Sequence, residues 1–309
     1  MPGCTVGHAA DPTIRVMRWP SQSAFLVAAF VMTCHPMTQA QSNYPSTKAE
    51  LQCPPPISLG HRQPSFALTN LIFDGALQMP TADQDQITAS LKRGTYSGDL
   101  DAVTSDLLER VRRAWQEHGY FTVQVHGNAK MLTGSPVKNL VAADFRVVEG
   151  QQYRLAGITL KNNRAIADPQ LLRDLFPIND GDLFNIAQVS KGLEKLANAY
   201  GQLGYINFTS IPNTRINEES QTISLDVDVD EDKPFYVGSI NIKGLDEHAS
   251  QEVLNDFPLK PGDVFNQGLF ELSMKRLSQP ESRASASYKP DEPAGTVSIT
   301  INLRQCPAN

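Results

Sequence analysis

Apolar residues along this chain follow two periods that succeed one another in a fixed order. Ile223, Leu225, Val227 and Val229 recur every second position, with Ser224, Asp226 and Asp228 between them, the mark of a half-buried strand. Phe121, Val123 and Val125 alternate in the same way with Thr122, Gln124 and His126, and Val297, Ile299, Ile301 and Leu303 repeat the pattern near the end. Elsewhere the spacing lengthens to three and four. Val103, Leu107, Val111 and Ala114 or Trp115 predict a helix over 99–118 that Gly119 ends. Ile186, Val189, Leu193, Leu196, Ala197 and Tyr200 predict a second helix ended by Gly204, and Phe270, Met274 and Leu277 a shorter third. A short helix precedes each: one opened by Thr81 and carrying Ile87 and Leu91, one opened by Asp168-Pro169 with Leu171, Leu172 and Leu175 facing inward, and one near 249–256. Further apolar runs at Phe66–Phe73, Tyr153–Leu160 and Phe235–Ile242 read as strands, as do shorter ones through Phe145 and Val147, at Ile206–Ser210 and at Tyr288.

The order is therefore strand-helix-helix-strand-strand, three times, in roughly 80 residues each. One apolar sheet face covered by two amphipathic helices gives an α+β fold: tandem β-α-α-β-β repeats, each a three-stranded sheet under two helices. The repetition is also literal. Phe176-Pro177, Gly181-Asp182-Leu183-Phe184-Asn185 returns as Phe257-Pro258, Gly262-Asp263-Val264-Phe265-Asn266. Val147, Glu149, Tyr153, Ile158 and Leu160 return as Val229, Glu231, Phe235, Ile240 and Ile242. Gly119-Tyr120-Phe121 is echoed by Gly204-Tyr205-Ile206. The expected division is 65–150, 151–232 and 233–304, with a Pro-rich linker at 41–64 and a tail at 305–309. Arrays of this kind bind extended partners more often than they catalyse reactions.

Composition sharpens this picture at the ends. The 309 residues carry a net charge of −6, are 40% hydrophobic and 19% charged, and contain no Lys/Arg run, so a nucleic-acid surface is not suggested. Arg15 and Arg18, then the apolar stretch from Ala24 to Met32, then Thr38-Gln39-Ala40 have the layout of a secretory signal, expected over 1–40. The stretch is shorter than the ~20 apolar residues a spanning helix needs. Translation starting at Met17 fits the same layout. Cys34 lacks the small preceding residue of a lipoprotein site. No second stretch long enough to span a membrane follows. Cys53 and Cys306 remain after signal removal; an even count permits a disulfide in an exported chain, although an elongated array would hold its ends apart.

Gly-Asp-x-Phe before the second helix, Gly-Tyr after it, and Glu149-Gly150 or Glu231-Asp232 closing the last strand resemble the POTRA (polypeptide-transport-associated) domain of outer-membrane barrel-assembly and translocation proteins. Gly119 and Tyr120 carry the first copy, Gly181, Asp182, Phe184, Gly204 and Tyr205 the second, Gly262, Asp263 and Phe265 the third. The resemblance implies a periplasmic location, possession of polypeptide clients or an outer-membrane barrel protein as partners, and binding by strand addition. Family members usually continue into a membrane barrel, and this sequence is expected to lack one. The strand after each second helix is expected at the sheet edge, exposing Thr122 and Gln124, Asn207 and Thr209, and Ser285 and Ser287, with N–H groups pointing outward.

Chemistry finds little support. Gly181-Asp182 and Gly262-Asp263 suit an ion or phosphate less well than a turn whose Asp caps the following helix. Tyr120 and Tyr205 suit packing at a helix–sheet junction. Asp226, Asp228 and Asp230 offer calcium-type oxygens, but lie along one strand face and read as a solvated acidic stripe. His61, His118, His126 and His248 show no metal-pair spacing, and no nucleophile or phosphate-loop motif occurs. No catalytic residue, cofactor or metal is expected. Three roles stay open: a polypeptide-binding or docking module, a structural spacer in an envelope complex, and an enzyme, ranked in that order.

Overall fold

The computed structural model of the chain describes the backbone of residues 14–18 and residues 64–132, 139–277 and 283–304. Three sheets carry three separate cores. The first repeat contains β2 (Ser65–Asp74), α1 (Thr81–Lys92), β3 (Tyr96–Ser97), α2 (Leu100–Glu117), β4 (Gln124–Leu132) and β5 (Asn139–Val148). The second contains β6 (Arg154–Lys161), α3 (Pro169–Arg173), α4 (Ile186–Gln202), β7 (Thr209–Asn217) and β8 (Thr222–Asp230). The third contains β9 (Tyr236–Lys243), α5 (Glu247–Asp256), α6 (Gln267–Leu277), β10 (Arg283–Asp291) and β11 (Thr296–Arg304). Ahead of them, β1 (Ile14–Arg18) lies inside the segment read as an export signal.

In each repeat the last strand is central. It runs parallel to the first strand and antiparallel to the one before it. Two helices lie between the paired parallel strands, as a parallel connection requires a long crossover, while a tight turn joins the antiparallel pair in the second and third repeats. Buried residues alternate along the central strands: Val141, Ala143, Phe145 and Val147 in β5, Ile223, Leu225, Val227 and Val229 in β8, and Val297, Ile299 and Ile301 in β11. Helix α2 adds Val103, Leu107, Val111 and Trp115, all fully buried, and α4 adds Val189, Leu196 and Tyr200. Asp99 and Asn185 cap these helices through side-chain oxygens that accept from Ala102 and Gln188 amides.

The sheets are not uniform. The first gains β3, paired with β2, and the second gains β1, paired with β7, so both have four strands against three in the last. Leu171 is 59% exposed rather than inward, because α3 makes little more than one turn and only Leu172 reaches the core. Helix α1 has no side-chain cap; the Pro80 carbonyl accepts from the Asp83 and Gln84 amides instead. Cys53 and Cys306 lie outside the described residues.

Candidate functional site

The strands that flank the central strand on the side away from the first strand are β4, β7 and β10; β4 and β10 end their sheets, and β1 lies beyond β7. Their backbone direction follows from two bonds. The Arg154 amide donates to the Gln221 carbonyl at 3.0 Å, so odd-numbered residues of β8 point to β6 and even-numbered ones to β7. Asp228 faces Ile211 and Asp226 faces Asn213, so the odd residues of β7 are bonded inward and the even residues point outward. The Tyr236 amide donates to Gly295 at 3.0 Å, and the same reasoning turns the even residues of β10 outward. In β4 the Ala129 amide donates to Thr104 Oγ1 of α2 at 3.3 Å, which marks the odd residues as those turned away from β5.

This corrects the expectation about which residues offer the edge. Gln124, Ser285 and Ser287 have exposed side chains, and Thr209 does too, but all four direct their N–H groups into their own sheet. Side-chain face and backbone direction alternate together along a strand and are coupled by chirality, and at these edges the core-facing residues, not the exposed ones, turn their N–H groups outward. Thr122 and Asn207 lie on no strand. Residues 121–122 and 206–207 form turns, and β4 and β7 start only at Gln124 and Thr209. The outward positions are Val125, Gly127 and Met131 in β4, Ser210, Thr214 and Ile216 in β7, and Ala286 and Tyr288 in β10. Two prolines interrupt these rows: Pro212 in β7 and Pro290 in β10 each occupy an outward position with no N–H to offer. Beside the β7 edge, a hollow of about 600 Å³ is lined by Asn162, Arg164, Ile211, Asp228, Val229 and Asp230. A second, of about 330 Å³, lies between α1 and α2.

The Gly-Asp-x-Phe motif is a pin. Gly181 and Gly262 have φ of 89° and 94° with no atom within 4 Å of a would-be Cβ, so the turn conformation alone calls for glycine. The Gly181 amide donates to Leu155 O at 2.7 Å, Leu155 to Asp182 O at 2.9 Å and Phe184 to Tyr153 O at 2.9 Å. The third repeat matches this: Gly262 to Val237 at 2.7 Å, Val237 to Asp263 at 2.8 Å and Phe265 to Phe235 at 2.9 Å. Both phenylalanines are fully buried. The aspartates do not cap the following helices. Asp182 accepts from the Asn179 amide at 2.9 Å and Asp263 from the Lys260 amide at 2.7 Å, which closes the turn; Asn185 and Asn266 do the capping.

Gly119-Tyr120-Phe121 and Gly204-Tyr205-Ile206 are joints. Both glycines have φ of 88°. Their carbonyls accept from the residue just before the first strand of the next repeat, Tyr153 to Gly119 and Phe235 to Gly204, at 2.9 Å each. The tyrosines pack in their own repeats: Tyr120 is buried in the first core, and Tyr205 sits edge-on to Tyr200 at 5.8 Å. The third residue crosses over. Phe121 enters the second core edge-to-face with Phe184 at 5.1 Å, and Ile206 packs on the third core.

The glutamates closing the central strands are buried anchors, each 4% exposed. Glu149 accepts from the Met79 amide and from Trp115 Nε1 at 2.8 Å. Glu231 accepts from the Arg164 and Ala165 amides and from the Tyr200 hydroxyl at 2.9 Å. Burial alone would raise the Glu231 carboxyl, but these donors and the Arg164 guanidinium outweigh it and hold its pKa below the usual range. Burial first, and then this carboxylate, raise the Tyr200 phenol. The acidic stripe is only partly solvated. Asp226 is 7% exposed and bridges Arg215 at 2.7 Å and Lys161 at 3.3 Å, because those cations flank it on the neighbouring strands. Among the described residues no cluster of His, Cys, Asp and Glu could hold a metal ion, and no helix is long and apolar enough to cross a membrane.

Small sheets with two helices on one face, joined in series by glycine turns, define a class of tandem α+β modules. The POTRA family model, described as surface antigen variable number repeat, matches residues 153–232 and 235–306. The second and third repeats belong to the POTRA family. It is 31% identical over 202 residues, 63% of its length, to a Treponema pallidum (strain Nichols) protein whose name gives its role as outer membrane protein assembly factor. It is 24% identical over 189 residues, 61% of its length, to the outer membrane protein assembly factor BamA of Buchnera aphidicola subsp. Acyrthosiphon pisum. The chain spans only 24% and 30% of the lengths of these two relatives. Its fold matches the crystal structure of Haemophilus influenzae BamA POTRA3-5 with a TM-score of 0.60 at 18% identity, covering 80% of this chain and 99% of that one.

Proposed function

We propose that the chain is an exported periplasmic module that binds polypeptides, or docks on an outer-membrane barrel protein, during outer-membrane protein assembly or transport. Binding is by strand addition and involves no catalysis. The observation that carries this reading is the outward row of backbone groups on β4 and β10, at Val125, Gly127, Met131, Ala286 and Tyr288, to which an extended strand of varied sequence can bond. The likeness to assembly factors supports the same reading.

Proline at Met131 or Ala286 removes one outward donor while leaving the inward ladder intact. With a synthetic extended peptide of alternating apolar and polar residues as probe, each variant is expected to lose about five- to tenfold in affinity, the worth of one hydrogen bond. Circular-dichroism melts check that the fold persists. Unchanged affinity in both variants, with the fold intact, rejects strand addition at these edges and leaves the spacer role, which the twice-repeated joint favours.

A further inference from the structure

The β7 edge differs from the other two in already having an occupant. Strand β1 lies antiparallel on it with Ile14 opposite Asn217, Arg15 opposite Ile216, Val16 opposite Arg215, Met17 opposite Thr214 and Arg18 opposite Asn213. Since the even residues of β7 point outward, Thr214 and Ile216 face Met17 and Arg15 as the hydrogen-bonded pairs of this ladder. Ile14, Val16 and Arg18 then direct their own backbone groups away from β7. The ladder stops at Asn213, immediately before Pro212, the outward position without a donor. So β1 covers the whole uninterrupted run of outward donors in β7, and the proline leaves only Ser210 beyond it. The covering strand holds Arg15 and Arg18, the same basic residues that open the segment read as an export signal.

We propose that β1 is an internal cap: the chain masks the binding edge of its second repeat with its own N-terminal segment, and cleavage of that segment, or its displacement by an antiparallel client strand, opens the edge. This rests on the strand-addition reading and adds its regulation. A chain still carrying residues 14–18 presents β4 and β10; a chain without them presents β7 as well. An edge closed until export is complete also guards against pairing with the wrong strand beforehand.

The test is amide hydrogen exchange at Thr214 and Ile216, with Leu225 and Val227 in the central strand reporting that the repeat stays folded. Four chains are compared: the full chain, the chain starting at residue 41, Met17→Pro and Val16→Pro. Met17→Pro removes a donor aimed at β7, whereas Val16→Pro removes one aimed away from it. Protection at Thr214 and Ile216 is expected in the full chain and in Val16→Pro, and a drop of about tenfold or more in the chain from 41 and in Met17→Pro. Adding a synthetic peptide of residues 13–19 to the chain from 41 should restore it. Equal exchange with and without residues 1–40, or equal effects of the two prolines, overturns the cap. No client is present in these measurements, so their failure is distinct from a failure of the proposed function, which the peptide titrations at Met131 and Ala286 judge separately.

Discussion

The two joints share one backbone bond and differ in everything that fills them. At the first, Phe121 is 7% exposed and meets Phe184 in the next core, and Asn185 Nδ2 donates to the Glu117 carbonyl at 2.7 Å. At the second, Ile206 is only partly buried, and polar groups do the work around it. Asn207 reaches Asp232 at 2.8 Å and Glu292 at 3.0 Å, Lys233 pairs with Glu292 at 3.5 Å, and a Cβ at Gly201 would lie 3.1 Å from Gln267 Oε1 of the next helix. The bond from the residue just before the next repeat's first strand to the glycine carbonyl sets the docking geometry. The side chain that crosses over sets how strongly one repeat depends on its neighbour. The first joint is an extension of a core, and the second is a wet contact.

The largest expected effect tests the cores that the joints enter. Phe184→Ala and Phe265→Ala each remove a fully buried ring and should cost about 3–5 kcal/mol in their repeat. They should differ in reach. Phe184 holds Phe121, so its loss should also loosen the first repeat, while the ring partners of Phe265 are Phe270 and Tyr288 of its own repeat. A double-mutant cycle of Phe121→Ala with Phe184→Ala should show a coupling of about 0.5–1.5 kcal/mol in denaturant unfolding. Additive effects in that cycle would make the first joint as loose as the second and erase the contrast.

How much of this was legible beforehand follows from what each signal encodes. The alternation at Ile223–Val229 and the helical spacing at Val103–Trp115 report burial, and they place the central strands and long helices within a residue or two of their observed bounds. Phe184 and Phe265 were visible as members of the repeated Gly-Asp-x-Phe motif rather than through periodicity. Three features were not. Asn207 and Thr122 sit in turns because the glycine at 204 or 119 is followed by a full reversal before pairing resumes, and the apolar residues 121, 206 and 208 continue an alternation that packing, not a strand, uses. The direction of each N–H is tied to its side-chain face, but which face turns outward depends on the side at which the neighbouring strand lies, and no single strand's sequence carries that. The burial of Asp226 depends on Arg215 and Lys161, residues of two other strands. The Glu149 and Glu231 anchors had one visible signal: a glutamate continuing the buried parity of an otherwise apolar strand.

The next effect concerns acid. The Glu231 pKa lies below that of a free glutamate, so its contribution to stability is complete above the unfolded value near ~4.3 and is lost as pH falls through the folded value. Glu231→Gln keeps the shape but weakens bonds to two amides and a phenol, and should cost about 1.5–3 kcal/mol at neutral pH. The variant's melting temperature should then fall less steeply than the wild type's below about pH 4. Because Glu231 follows β8 directly, four residues before Phe235, acid should loosen the second joint. Parallel acid profiles for variant and wild type would show that the anchor does not carry this pH dependence.

The smallest expected effect separates the joints by salt. Glu292 is the shared acceptor of Asn207 and Lys233 at the second joint, and the Lys233 and Glu292 side chains are 44% and 54% exposed. Exposed pairs of this kind are worth about 0–1 kcal/mol and weaken as the screening length shortens to ~3 Å at 1 M salt. Glu292→Ala should therefore leave the melting of all three cores nearly unchanged. Its mark should appear in limited proteolysis between 230 and 234, faster than wild type at low salt and equal to it at high salt, with no change near residues 149–153. The first joint, held by a buried ring and a neutral amide-to-carbonyl bond, should show no such salt dependence. Equal salt sensitivity of cleavage at both sites would mean that charge governs neither joint selectively, and the distinction between a core-like and a wet joint would rest on Phe121 alone.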